Sequence, residues 1–218
     1  MRKTRARSEK EKAQQFEEII EKGKELFVKR GPYGFSMHAL AKKLNMSEPN
    51  IYNYVKSKKE LWTAIRTKYL RQYYQDTEEL IKKHKGSIVD LGVKWAEYFL
   101  EFAANDYKRF QMMYLVPPPK SNKKEQKDNS YEPLYLMEHG INALKDTFKI
   151  QGIDDSELTE FFYYMFGVFF GAANIESFLR VRNKIEEPII IESDVLTSER
   201  FRKYVLREIR TRLEKFIS

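Results

Sequence analysis

The sequence predicts an all-α protein with a short N-terminal helical domain, residues 1–57, and a larger helical domain, residues 58–218. Three observations predict it. Apolar residues recur at three- and four-residue spacing in nearly every segment. The single β-branched run, Ile189-Ile190-Ile191, follows Pro188 in what reads as a connection. Charge is distributed unevenly: residues 1–60 hold 15 Lys/Arg against 8 Asp/Glu, net +7, whereas residues 61–218 hold 25 against 24, net +1. Two readings of that asymmetry are open at this point, a surface that meets a polyanion and a solvated basic tail.

Composition narrows the chemistry. With 218 residues, 42% of them hydrophobic, the chain is long enough to bury a sizeable core. Cysteine is absent, which excludes disulfides, thiolate metal sites and cysteine nucleophiles. His38, His84 and His139 are too scattered for a metal cluster. No apolar run approaches the ~18 residues of a membrane span, and no apolar stretch near the N-terminus suggests a signal peptide, so the expected location is cytoplasmic.

The elements follow in order. Phe16, Ile19, Ile20, Gly23, Leu26 and Phe27 form the inner face of a first helix, which Gly31-Pro32 should end near Arg30. Ser36 can cap a short helix whose Leu40, Ala41 and Leu44 point inward. Asn45 suits a left-handed stop, and Ser47 can cap a second short helix with Pro49 in its first turn. Ser57-Lys58-Lys59-Glu60 matches a capping box, opening a helix to about Lys83. Amphipathic helices are then expected over 87–104 and 106–116, a mobile loop over Pro117 to Ser130, and helices over 132–150, 156–181 and 199–217, about nine in all.

Two short helices joined by a tight turn, preceded by a basic arm and followed by lysines, can place one helix in a major groove while the other braces against the backbone. Many helical bundles contain such turns, so geometry alone does not single out DNA binding. The residues say more. Phe35-Ser36-Met37-His38-Ala39-Leu40-Ala41-Lys42-Lys43-Leu44-Asn45-Met46-Ser47, followed by Ile51-Tyr52-Asn53-Tyr54-Val55-Lys56-Ser57-Lys58-Lys59-Glu60-Leu61, strongly resembles the N-terminal domain of the TetR family of bacterial and archaeal regulators. The resemblance covers roughly residues 10–65 and is architectural beyond that.

The resemblance implies roles by position. Ile51 packs inward, Tyr52 sets its hydroxyl on a phosphate and Lys58 holds another, which fixes register and not sequence. Pro49, Asn50 and Asn53 face bases, with Ser36, Met37, His38 and Ser47 nearby; Asn can pair with adenine, and proline can touch a thymine methyl. Tyr54 fits the core better than a contact, and His38 is as well explained as a solvated histidine. Arg2, Lys3, Arg5 and Arg7 suit either the minor groove or solvent. Two positions depart from the family pattern: Asn45 stands where a turn glycine is usual, and Glu48 brings a carboxylate toward the groove, where it is repelled unless cytosine N4 donates to it.

The helix over 156–180 is apolar almost all round, with Leu158, Phe161, Phe162, Met165, Phe169 and Ala172 on one side and Gly167, Phe170, Gly171, Asn174 and Phe178 on the other. Two apolar faces need two partners: the protein's own core and a second subunit, which Gly167 and Gly171 would let approach closely. A fully buried central helix in a monomer is the other reading. The last helix adds a stripe of Phe201, Val205, Ile209 and Leu213, and in the resembled family two C-terminal helices form a four-helix dimer interface. A dimer presents two recognition helices about 34 Å apart to a palindromic double-stranded operator. An effector acts by changing that separation, transmitted along the long fourth helix.

The expected effector site lies among the middle helices, where Trp95, Tyr98, Phe99, Phe102, Phe110, Met113, Tyr114 and Phe166 suit a small apolar or aromatic ligand. His139 and Asn142 are candidate polar anchors. Ordinary core packing explains each of these residues singly. No phosphate loop, nucleophile elbow or metal-ligand spacing points to an enzyme, and no cofactor is expected. Two further readings are an adaptor that keeps the fold without specific DNA binding, and an architectural DNA binder without an effector. Repression is the family's usual sign.

Overall fold

Helical periodicity becomes helix throughout the described part of the chain. The computed structural model describes residues 9–117, 119, 142, 154–182 and 197–218. Its elements are α1 Glu9–Gly34, α2 Met37–Lys43, α3 Glu48–Ile51, α4 Lys58–Lys83, α5 Ile88–Asn105, α6 Tyr107–Phe110 continued by a π-helical turn Gln111–Leu115, α7 Asp155–Arg182 and α8 Ser198–Ile217. Among the described residues there is no strand. The basic arm, the expected 132–150 helix apart from Asn142, and Ile189–Ile191 lie outside the described residues.

α1 outruns its expected end by a turn, reaching Gly34 through Pro32. Proline removes a single donor, the one directed at the carbonyl of Val28, and Val28 is 40% exposed, so water can replace it. The chain then turns into Phe35, which is fully buried.

The described residues form two compact units. The first comprises residues to Gln72 together with those from Gln111 to Pro117; the second comprises Tyr73–Phe110 with α7 and α8. The expected 57/58 boundary falls inside the first unit, because the opening turns of α4 belong to its core. Leu61, Trp62 and Ile65 are buried there with Ile19, Ile20, Leu26, Phe27, Phe35, Leu40, Ile51 and Val55. Trp62 meets Phe27 and Phe35 edge-on at 5.4 and 6.0 Å between ring centres. Gly23 eases this approach of α1 to α4: a Cβ there would stand 2.6 Å from Ile65 Cδ1, so a larger residue would have to push the end of that side chain aside.

Ion pairs rim this core. Lys68 on α4 reaches Glu17 and Glu21 of α1 at 2.7 and 2.6 Å, and Lys43 of α2 reaches Glu25 of α1 at 2.8 Å. Such exposed pairs contribute little singly.

In the second unit α5 packs on both α7 and α8. Ser87 and Asp90 form a reciprocal capping box at the start of α5. Glu176 of α7 is almost fully buried. It is matched by Arg202 of α8, whose Nε and Nη2 donate at 3.0 and 2.6 Å, and by Arg180 one turn along α7 at 3.1 Å. Arg202 also donates to Glu101 of α5.

Glu25 provides a pH prediction. Lys22 and Lys43 hold its carboxyl down at about 2, from an ordinary 4.5. A lowered folded value means that the contribution is complete above pH 4.5 and vanishes as pH falls toward 2. Glu25→Gln is therefore expected to melt below the wild type at neutral pH, with the difference closing between pH 4.5 and 2, as followed by circular dichroism.

Candidate nucleic-acid interface

The turn between α2 and α3 is built by one left-handed residue. Ser36 caps α2, its hydroxyl accepting from the Ala39 N–H at 3.1 Å. At the other end the Met46 N–H reaches back to the Ala41 carbonyl at 2.9 Å, and Asn45 takes φ 52°, the left-handed stop that its position predicts. Ser47 holds the N-cap backbone position of α3, but its side chain makes no cap hydrogen bond, contrary to expectation. Pro49 removes the N2 donor, and the Asn50 N–H is taken by the Ser47 carbonyl at 3.0 Å, so the hydroxyl has no amide to accept from.

α3 is a single turn that continues as tighter turns: the Asn53 N–H bonds Asn50 O, and the N–H groups of Tyr54 and Val55 bond Ile51 O. Ile51 and Val55 are buried, which anchors the segment and leaves Pro49, Asn50, Tyr52 and Asn53 exposed along its outer side. Tyr52 is 44% exposed, so its hydroxyl end reaches solvent. Lys58 opens α4 with its ammonium 5.7 Å over the Phe35 ring, a cation–π contact that positions the charge at the edge of this surface. Tyr54 is half-buried.

Met37 is a correction. It is 4% exposed, because the first turn of α2 points it into the core with Leu40 and Ala41, so its side chain cannot face a base. His38 projects outward, its Nδ1 3.9 Å from Glu48 Oε2, so the carboxylate that departs from the pattern lies beside an imidazole of the preceding helix.

The expected effector residues divide. Phe99 is buried at the centre of an aromatic cluster, with Phe110 at 5.6 Å, Phe166 at 6.1 Å, Phe169 at 5.9 Å and Phe170 at 5.7 Å between ring centres. Trp95 meets Phe169, Phe102 meets Phe110, and the Tyr98 hydroxyl donates to Asp76 at 2.8 Å. Met113 and Tyr114 belong instead to the first unit, where Met113 is buried and its carbonyl accepts from Arg66 Nε at 2.9 Å. His139 lies outside the described residues, and Asn142 is exposed. Sequence reasoning missed Tyr73 and Asp76, on the part of α4 that joins the second unit; the Tyr69, Tyr73, Thr77 spacing was the available signal.

The expected dimer residues also need correcting. Val205 and Ile209 are buried within the chain and Phe201 is half-buried, because the apolar stripe of α8 packs on α5; Leu213 closes over Gly92, where a Cβ would meet it at 2.6 Å. Phe170 turns into the aromatic cluster, 4.4 Å from Phe166, and Asn174 accepts from the Tyr107 hydroxyl at 2.9 Å. Gly167, Gly171 and Phe178 do face outward, joined by Tyr164 and Ile175.

Comparison with known proteins agrees with this geometry. Residues 19–65 match the family model described as bacterial regulatory proteins, tetR family. No curated protein matches the chain. Among solved structures, the fold is similar to a transcriptional regulator of the TetR/AcrR family from Thermobifida fusca (TM-score 0.57, 16% identity, 90% of this chain and 97% of that one). It is also similar to a single-substitution variant of TetR from Acinetobacter baumannii in complex with minocycline (0.59, 14%, 92% and 96%). A third is AibR in complex with isovaleryl coenzyme A and operator DNA (0.57, 14%, 88% and 96%). At these identities the structural likeness speaks for the fold.

On the expectation that this face meets DNA, Glu48→Gln should raise affinity for unrelated duplexes about fivefold in low salt, since a charge of the same sign as the phosphates is removed. Fluorescence anisotropy checks this, and a fall in affinity would mean that the carboxylate accepts from a base.

Proposed function

From the match of residues 19–65 to the tetR-family model and from the similar fold, we propose that the protein is a DNA-binding transcriptional regulator of the TetR family and a ligand-responsive repressor. It binds a palindromic operator as a homodimer and is released by a small apolar or aromatic effector held in the second unit. The observation that carries this reading is the row of exposed residues Pro49, Asn50, Tyr52 and Asn53, held rigid by the buried Ile51 and Val55 and flanked by Lys58. Asparagines supply base-edge donors and acceptors, and Tyr52 and Lys58 supply phosphate contacts.

Two further features support it. Homodimers are typical of the family, and α7 carries an outward stripe of Tyr164, Gly167, Gly171, Ile175 and Phe178. A Cβ added at Gly167 or Gly171 would meet nothing within 4 Å among the described residues, which leaves room for a second copy's helix. Ligand complexes are known for two similarly folded proteins, with minocycline in one and isovaleryl coenzyme A in the other. α4 contributes to both units, Lys58–Gln72 to the first and Tyr73–Lys83 to the second, and so is the covalent path by which a ligand acts on the DNA-binding surface.

Selection from random duplexes is expected to recover a palindrome whose binding weakens steeply with salt. Tyr52→Phe combined with Lys58→Ala should bind more weakly and flatten the salt slope by about 2, one for the Lys58 charge lost from each subunit of the dimer, while loss of the neutral Tyr52 hydroxyl lowers affinity without changing the slope. No enrichment, with the double variant binding as well as the wild type, would leave the adaptor reading in its place.

Phe178→Glu is expected to yield monomers in sedimentation and to lower operator affinity by about 100-fold, because each half-site then binds alone. A variant that still sediments as a dimer would move the interface off this face.

A further inference from the structure

Among the described residues of the second unit, the buried polar atoms without a hydrogen-bond partner include two donors that lie side by side. Tyr73, 3% exposed on α4, and Trp95 on α5 bury their hydroxyl and indole N–H, and neither atom has a hydrogen-bond partner among the described residues. The two are near neighbours: the Trp95 N–H lies close enough to the Tyr73 oxygen to favour its ionisation, yet not in hydrogen-bond geometry. Burial outweighs this and pushes the Tyr73 hydroxyl well above its ordinary range, so it stays protonated.

Rings surround the pair. Tyr73 is 5.4 Å from Tyr98, 5.4 Å from Phe102 and 6.4 Å from Phe99, and Trp95 stands edge-on to Phe169. Tyr98 marks the contrast, since its hydroxyl is matched by Asp76. Proteins pair the great majority of buried polar atoms, and phenylalanine at position 73 would fill the same space with no hydroxyl to desolvate. A tyrosine whose oxygen finds nothing to bond among the described residues is thus suited to a partner that arrives from outside.

We infer that the second unit binds an uncharged, planar aromatic molecule through a carbonyl oxygen that accepts from the Tyr73 hydroxyl and the Trp95 indole. This deepens the effector reading above and rests on it. An indole N–H can only donate, and a protonated phenol beside it has its proton to offer, so the complementary atom is an acceptor. Neither donor carries a charge of its own, so the charge of the acceptor is set by the groups around them. Asp76, bonded to Tyr98, and Arg109, 5.0 Å over the Phe102 ring, flank the same rings with opposite sign and offer no net charge to an ion. The surrounding rings provide flat apolar contact for the rest of the molecule. A site of this kind discriminates strongly against an analogue lacking the oxygen, since its donors are then left unpaired again.

The test compares 9-fluorenone with fluorene, which has the same ring system without the oxygen, by calorimetric titration of the full chain. The wild type is expected to prefer fluorenone by about tenfold or more, Tyr73→Phe and Trp95→Phe each to lower that ratio about threefold, and the double variant to bring it close to one. Ligand-free Tyr73→Phe is expected to melt at or above the wild-type temperature, since an unpaired hydroxyl is lost; a drop of several degrees would show that the hydroxyl is paired within the protein and overturn the inference. Equal binding of both compounds, no binding of fluorenone, or an undiminished preference in Tyr73→Phe would overturn it as well. The operator selection fails or succeeds independently: a palindrome recovered by a protein that treats the two compounds alike leaves the regulator standing and removes only the carbonyl site.

Discussion

A carboxylate withdrawn from water has to be answered, and in the second unit the answer sets the arrangement of three helices. Glu176 is buried on α7, and its two oxygens are taken by Arg202 of α8 and Arg180 of α7, while Arg202 also bridges to Glu101 of α5. Breaking one member of such a set leaves an uncompensated buried charge, which costs far more than an exposed pair gains. The register of α8 is thereby locked. With Arg202 turned to Glu176, residues 205 and 209 on the same side must enter the core, and Tyr204 is turned outward.

That register decides which surface is left for a partner. α8 commits its apolar stripe to its own chain, so the outward apolar residues are concentrated on α7, where two glycines flatten the helix and Phe178 stands 71% exposed. Isolated exposed apolar residues are ordinary, but five at one helical face are a surface that water covers poorly. The inner side of α7 meanwhile supplies Phe166, Phe169 and Phe170 to the ring cluster around Phe99. One helix therefore serves both the ligand reading and the dimer reading, and a shift in its packing would be felt at both.

The first unit is organised differently. Its α3 is one turn long, too short to be a stable helix alone. It keeps its shape because Ile51 and Val55 are fixed in the core beneath it and because Asn45 adopts the left-handed conformation that a three-residue reversal requires. The exposed asparagines and Tyr52 inherit that rigidity, which limits the ordering cost of recognition.

The sequence by itself determined the helical class, most helix boundaries to within a few residues, the α2–α3 turn with its left-handed Asn45, and the exposed row from Pro49 to Asn53. These depend on local rules: spacing, caps, and the conformational tolerance of single residues. α1 ran past Pro32, since one missing donor beside the exposed Val28 is tolerable, and Ser47 lost its capping bond to the proline two residues on. Tertiary structure alone decided whether an apolar helix face meets its own chain or a partner, because periodicity counts apolar residues without naming what covers them. So Val205 and Ile209 went to the core, Met37 went inward beside His38, and Met113 fell with the first unit. It also decided that the Tyr73 hydroxyl and the Trp95 indole would meet among phenylalanines with nothing in the described fold to bond, a property of three-dimensional company that neither residue carries in the sequence.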